Sequence, residues 1–236
     1  MYIKQLLFTG EVRDEFPFGF PFLKELETVI FDCPVSFITG ENGSGKSTIL
    51  ETIADLLGLN MEGGSKNNRF VTHQTHAALG EECRLIRYPS YPKDAYFYRA
   101  ESYYNLVSEL DELQVSDELF ERKLHTFSRG ESLKELIKYR FFGKGIYLLD
   151  EPETGLSVAS QLELIVLIDE LVKQESQLII CTHSPILLLY PQAKLFELNQ
   201  GHIREVEKEE AQIFKDWDMI MRRKDSFIRQ LLREEE

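Results

Sequence analysis

Lys46 and Ser47, preceded by Gly40, Gly43 and Gly45, are the residues best suited to hold phosphate. They lie in Gly40-Glu41-Asn42-Gly43-Ser44-Gly45-Lys46-Ser47-Thr48, which meets G-x-x-x-x-G-K-[ST] at every fixed position. Glycines permit a backbone whose successive N–H groups converge on a phosphate at a helix N-terminus. The Lys46 ammonium can then reach the β- and γ-phosphates, and the Ser47 hydroxyl can ligate Mg²⁺. The plainer reading, a glycine turn before a helix, is disfavoured by both flanks. Residues 35–39 read as a buried strand, and residues 49–57 as an amphipathic helix ending at Gly58.

A second pair, Asp150-Glu151, ends the apolar run Gly145-Ile146-Tyr147-Leu148-Leu149. Asp150 is placed to hold Mg²⁺ directly or through water. Glu151, one residue on, can orient and activate water. A strand ending in solvated acids is the competing use. His183 follows another buried strand pattern, 176–181, at the end of a strand where open α/β sheets bind ligands. A lone histidine there more often has a structural use. Ser128-Arg129-Gly130-Glu131 opens a helix reaching Phe142 and has the makings of an anion site. A helix capped by Ser128, with Glu131 at its third position, would look the same. His73 and His76 are three apart in a polar loop, with no third ligand beside them. In Phe16-Pro17-Phe18-Gly19-Phe20-Pro21-Phe22, a ring could stack on adenine or simply plug the sheet edge.

The elements that must position these residues follow from periodicity. Strands are expected at 2–9, 27–31, 82–88 and 95–98, and a closing hairpin at 196–198 and 202–206. Helical periods run over 101–113, 118–125 and 162–172, and 58–80 is loop. Residues 208–236 are charged, helical and carry the sole tryptophan, Trp217.

The bulk composition narrows the class. The chain has 236 residues, 43% of them hydrophobic, enough for one large domain with a substantial core. No run of eighteen apolar residues is present, so no membrane span is expected. Met1-Tyr2-Ile3-Lys4 reads as the start of a strand, not as a targeting segment. Cys33, Cys83 and Cys181 stand singly, which suits a reducing cytoplasm and no zinc site. A net charge of −13 gives no indication of nucleic-acid binding, though a local basic groove stays open.

In their order, these motifs resemble the ATPase heads of the ABC superfamily. They most resemble stand-alone soluble ATPases of its AAA-labelled, SMC-like branch. The resemblance spans about residues 1–210. It rests on the phosphate loop, Arg99-Ala100-Glu101-Ser102, Ser128-Arg129-Gly130-Glu131-Ser132, Asp150-Glu151-Pro152-Glu153 and Thr182-His183-Ser184-Pro185-Ile186-Leu187. It implies one α/β domain over 1–236, a P-loop NTPase of ABC-ATPase type. Such a domain has a mostly parallel core sheet, an N-terminal antiparallel β part, a helical signature insertion at about 83–143 and a helical tail at 208–236.

The same resemblance implies ATP and Mg²⁺ as cofactors, and roles for particular residues. Glu41, Asn42, Gly43, Ser44, Gly45, Lys46, Ser47 and Thr48 hold the nucleotide. Ser47 and Asp150 hold the metal, Glu151 is the catalytic glutamate, and His183 senses the γ-phosphate. Ser128 and Gly130 contact the γ-phosphate bound to a second protomer, and residues 153–157 face that partner. The chain also departs from the pattern. Arg129 replaces the first signature glycine, and Glu131 stands where transporters carry glutamine. No glutamine follows the strand at 95–98, so Glu101 is expected at the metal in its place, with Gln74 a weaker substitute.

The function expected is a cytoplasmic ATPase forming an ATP-dependent homodimer that acts on an unidentified protein partner. The ATP-binding subunit of an ABC membrane transporter is one alternative, disfavoured by Arg129 and Glu131. A DNA-associated repair or defence ATPase is another. Only 82 positions separate Lys46 from Ser128, without heptads, which excludes a full-size chromosome-organising head with its long coiled coil.

Overall fold

The computed structural model describes residues 1–60, 63, 77–101 and 129–232. Two β parts share one hydrophobic interior. The smaller is an antiparallel pair, β1 (Ile3–Phe8) with β3 (Cys83–Arg87). The larger is a six-stranded sheet of β2 (Val35–Gly40), β4 (Asp94–Arg99), β5 (Gly145–Asp150), β6 (Gln177–Cys181), β7 (Ala193–Asn199) and β8 (His202–Val206). Its order is β4-β5-β6-β2-β7-β8; the first five strands run parallel and β8 returns antiparallel to β7. Parallel strands covered on both faces read as continuous apolar runs, which is why 145–149 and 176–181 were legible.

The period of two divides the sheet's side chains between two cores. Ile38, Ile146, Leu148 and Ile179 pack toward helix α1 (Lys46–Leu57) and the aromatic loop. Phe37, Tyr147, Leu149 and Ile180 pack toward α3 (Arg129–Arg140) and α4 (Val158–Lys173). A short helix α2 (Ala77–Glu81) leads into β3. Helix α1 ends at Gly58, whose φ of 72° lets its N–H return to the carbonyls of Ala54 and Asp55. Helix α4 begins at Ser157, whose hydroxyl accepts the Ser160 N–H at 3.1 Å.

Two buried side chains fasten the outlying pieces. Gln177 on β6 accepts the N–H groups of Tyr2 and Ile3 at 2.7 and 2.8 Å and donates to the Ile3 carbonyl at 2.8 Å. Glu197 on β7 accepts the Gln212 N–H at 2.7 Å and so caps the start of α5 (Gln212–Leu231). Its other oxygen pairs with Arg204 at 3.1 Å.

The short strand expected at 27–31 is a correction. Residues Pro21–Thr28 form a 3₁₀ helix, with Pro21 at its start and Phe22, Leu23 and Leu26 turned inward. Only an isolated bridge, Gln5 to Ile30, is left of that strand. Within the stretch 83–143, β3 and β4 belong to the β parts and α3 is helix. The helices expected at 101–113 and 118–125 lie outside the described residues apart from Glu101, as do His73, Gln74, His76 and Ser128.

Candidate functional site

The phosphate loop leaves the C-terminal end of β2 and enters α1 through Gly45. At Gly45 φ is 101°, and a Cβ would stand 2.6 Å from the Phe22 ring. At Gly40 a Cβ would stand 2.4 Å from the Leu198 carbonyl. The loop is therefore pressed between the aromatic loop and β7, and only glycine fits at either place. Lys46 is 4% exposed. Its ammonium folds back on the loop, donating to the carbonyls of Gly40 at 2.9 Å and Glu41 at 2.8 Å. Burial holds it below the usual lysine range, against the pull of Cys181, Glu151 and Asp150.

The Ser47 hydroxyl donates to Asp150 Oδ1 at 3.1 Å, joining the first turn of α1 to the last residue of β5. Burial pushes Asp150 up to about 6, opposed by the Arg99 guanidinium and by the Ser47 bond. A hydroxyl and a carboxylate side by side are hard oxygen ligands that fit Mg²⁺, which takes few protein ligands and completes its shell with water and substrate phosphate. Among the described residues no group of three or more His, Cys, Asp or Glu side chains could hold a metal.

Glu151 follows with φ at 49°, the left-handed region that a non-glycine residue enters at a cost. Its N–H donates to the Cys181 carbonyl at 2.9 Å, so the turn is tied to the end of β6. The Glu151 side chain stays partly open to solvent, with Oε1 3.8 Å from His183 Nε2. Burial and the nearby Lys46 hold His183 below the usual histidine range, so the ring is neutral at neutral pH. The His183 N–H is anchored at 2.6 Å by the carboxylate of Glu153, which burial pushes above the usual glutamate range. A cavity of about 220 Å³ opens beside the loop, between Gly40, Glu41 and His183 and the start of α5 at Gln212 and Asp216.

Lys46, Ser47, Asp150, Glu151 and His183 thus converge on one end of the sheet. The helix that carries Gly130 in its first turn does not join them. Through Leu133, Leu136 and Ile137 it packs on the opposite sheet face from α1. Glu101 is exposed, and its Oε2 stands 3.7 Å from Arg99 Nη2. Of the aromatic loop, Phe18 and Phe22 are buried plugs, while Phe16 is 58% exposed and edge-on to Phe20 at 5.9 Å.

Sequence reasoning gave no role to Arg99 or Glu51, and gave Glu153 a place only in the loop expected to face a partner. Arg99 lies 2.5 Å from Glu51 and 3.8 Å from Asp150. Glu51 falls four residues after Ser47, one helical turn on, and that spacing was the available signal. Glu153 had no comparable signal, because a loop carboxylate two residues past Glu151 carries no period.

A family model described as "AAA domain" matches residues 18–236. The achromobactin transport ATP-binding protein CbrD of Dickeya dadantii is 30% identical over 164 residues, 62% of this chain and 61% of that protein. This chain therefore spans less than two thirds of that relative's length. A solved structure of a protein assigned to the metal-chelate type of ABC transporter, in an inward-facing conformation, superposes with a TM-score of 0.51. The identity is 18%, and the overlap covers 94% of this chain and 89% of the other. The SMC head domain from Thermotoga maritima matches with a TM-score of 0.47 at 17% identity, covering 88% and 100%.

Proposed function

We infer that this chain, which belongs to the AAA-domain family of ABC/SMC-like ATPases and has their P-loop fold, binds ATP with Mg²⁺ and hydrolyses it to ADP and phosphate. The observation that carries the reading is the Ser47–Asp150 contact, because it brings phosphate loop and catalytic strand to one point beside Lys46 and Glu151. Glu41, Asn42, Gly43, Ser44, Gly45 and Thr48 complete the cradle. Bound Mg²⁺ would supply charge neutralisation between the β- and γ-phosphates. Lys46 exchanges its two loop carbonyls for phosphate oxygens. Glu151 orients the attacking water and takes its proton. His183, neutral and anchored by Glu153, meets the γ-phosphate as a hydrogen-bonding group.

The site is half of a pair in this reading. Ser128 and Gly130 serve the γ-phosphate of a second copy, so ATP closes a homodimer and hydrolysis releases it. Glu101 remains the proposed outer ligand of the metal. The cytoplasm is the proposed compartment, and an unidentified protein the proposed partner. No helix among the described residues is long and apolar enough to cross a membrane. A second reading, the ATP-binding subunit of a transporter, draws support from the name of the achromobactin relative. Arg129 and Glu131 weigh against it, since transporter signatures carry glycine and glutamine there.

Phosphate release from the purified chain tests the enzymatic reading. We expect Mg²⁺-dependent turnover that Lys46→Ala removes; a folded protein that neither binds nor cleaves ATP would overturn it. Capture with Glu151→Gln and ATP separates the partners. A soluble protein supports the first reading and a membrane permease the second, while a nucleic acid would favour a DNA-associated role.

A further inference from the structure

Arg99 ends β4 at the point where a metal-facing side chain was expected of Glu101. Its Nη1 lies 2.5 Å from Glu51 Oε1, its Nε 3.8 Å from Asp150 Oδ2, and its Nη2 3.7 Å from Glu101 Oε2. Glu51 and Asp150 are both buried, the first on α1 and the second at the end of β5. The backbone supports the same meeting. Arg99 and Asp150 are register partners across β4 and β5, and the Ala100 N–H donates to the Asp150 carbonyl at 3.2 Å. A guanidinium set between buried carboxylates is held there, because withdrawing it would leave those charges uncompensated. Asp150 therefore has a different neighbour on each oxygen, the Ser47 hydroxyl on Oδ1 and the Arg99 guanidinium toward Oδ2.

We propose that Arg99 is a positioning residue of the nucleotide site. It fixes the Asp150 carboxylate, and as a resident cation it keeps a bare divalent ion off that carboxylate until a triphosphate arrives. The proposal rests on the reading of this site as one for a metal–nucleotide complex. Arginine stays charged at every working pH, so the exclusion is permanent in the nucleotide-free chain. A divalent ion approaching Asp150 meets a like charge across a poorly screened gap. The phosphates of a nucleotide add enough negative charge to outweigh it. Lysine would keep the charge but lose the fork that spans Glu51 and Asp150. Charge and geometry can therefore be separated by substitution.

Mn²⁺ titration of the nucleotide-free full chain, followed by electron paramagnetic resonance, tests this. Arg99→Met should bind Mn²⁺ at least about tenfold more tightly than the unaltered chain, because the like charge is gone. The gain should vanish in Arg99→Met/Asp150→Asn, and Arg99→Lys should stay near the unaltered chain. Arg99→Met takes a partner from buried Glu51, so Glu51→Gln and Arg99→Met/Glu51→Gln are measured alongside it, and the second should show the same gain over the first, the pair in which the Arg99 charge alone is lost. Equal Mn²⁺ affinity with and without Arg99 in both backgrounds would overturn the proposal. So would a gain that survives Asp150→Asn, or an Arg99→Lys form that binds as tightly as Arg99→Met. Calorimetry with Mg–ATP keeps the two readings apart. The Mn²⁺ gain without any ATP binding refutes the nucleotide reading alone, and ATP binding without the gain refutes only the role of Arg99.

Discussion

Helices α1 and α3 are each twelve residues long, and each opens on one of the chain's two glycine motifs. They are built differently. In α1 nine of the twelve residues are buried, among them Lys46, Thr48 and Glu51, so the polar residues of its motif are set into the core. In α3 the described side chains bury on one stripe, at Leu133, Leu136 and Ile137, and Lys134 reaches outward to pair with Glu163 on α4. The two helices sit on opposite faces of one sheet. The difference teaches that the phosphate loop is finished by its own fold, whereas the helix that opens on the second motif packs on the other face of the sheet. Completion from a second copy is the proposed answer.

The sharpest test removes chemistry from the finished half alone. Glu151→Gln should lower turnover about a hundredfold or more, the weight of a positioned general base, and leave ATP binding unchanged. Single-turnover rates and equilibrium binding on one preparation check it, and near-normal turnover would move the water-activating role elsewhere. Next comes the anchor of α1. Lys46→Ala should weaken ATP binding about ten- to a hundredfold while melting stays within a few degrees, because one charge-assisted phosphate contact is lost. Calorimetry showing unchanged affinity in the folded variant would remove the phosphate-loop reading.

The other half breaks by a different route. Ser128→Arg, added to Glu151→Gln, should weaken ATP-dependent dimerisation by at least about tenfold, since a bulky cation would crowd the trans site. Sedimentation with Mg–ATP should give a dimer for the single variant and a nucleotide-bound monomer for the double. A dimer indifferent to ATP or to Ser128→Arg would mean that Arg129 marks a signature no longer used in trans. Rising salt should favour the dimer by screening the net charge of −13.

The smallest effect is a pH dependence. Burial pushes Asp150 up to about 6. A carboxyl raised in the folded state favours folding while protonated, and this contribution is lost as pH climbs from the ordinary aspartate range through about 6. Metal binding has the opposite sign, because it needs the ionised form. Below pH 6, Mg²⁺ affinity measured with ATP bound should fall by up to about tenfold per pH unit, and Asp150→Asn should flatten the curve.

How much was legible in advance follows the same division. The phosphate loop, β5 and the strand before His183 were readable because buried parallel strands and fixed glycine spacings leave local patterns. The 3₁₀ turn at Pro21–Thr28 was not: the strand expected at 27–31 overlaps it only at Glu27 and Thr28, and packing under Gly45 decides. Arg99 was missed because its partners come from α1 and β5, far apart in sequence, and the neighbouring Glu101 fitted the expected chemistry better. In the proposed reading the meaning of Ser128 and Arg129 depends on a second chain, which no pattern within one chain encodes.

The grip of Gln177 on Tyr2 and Ile3 has a consequence for biosynthesis. Those bonds join residues 174 and 175 positions apart. At roughly 5–20 residues per second, the leading strand waits about ten to thirty-five seconds on the ribosome before its clamp is made. The phosphate-loop strand β2 waits nearly as long, for both of its sheet neighbours, β6 and β7, come from the last quarter of the chain. A nascent chain halted before Gln177 would hold the whole G-x-x-x-x-G-K-S motif and still lack the sheet that shapes it. In the proposed reading, ATP is then recognised only after the segments that form β6 and β7 have been made.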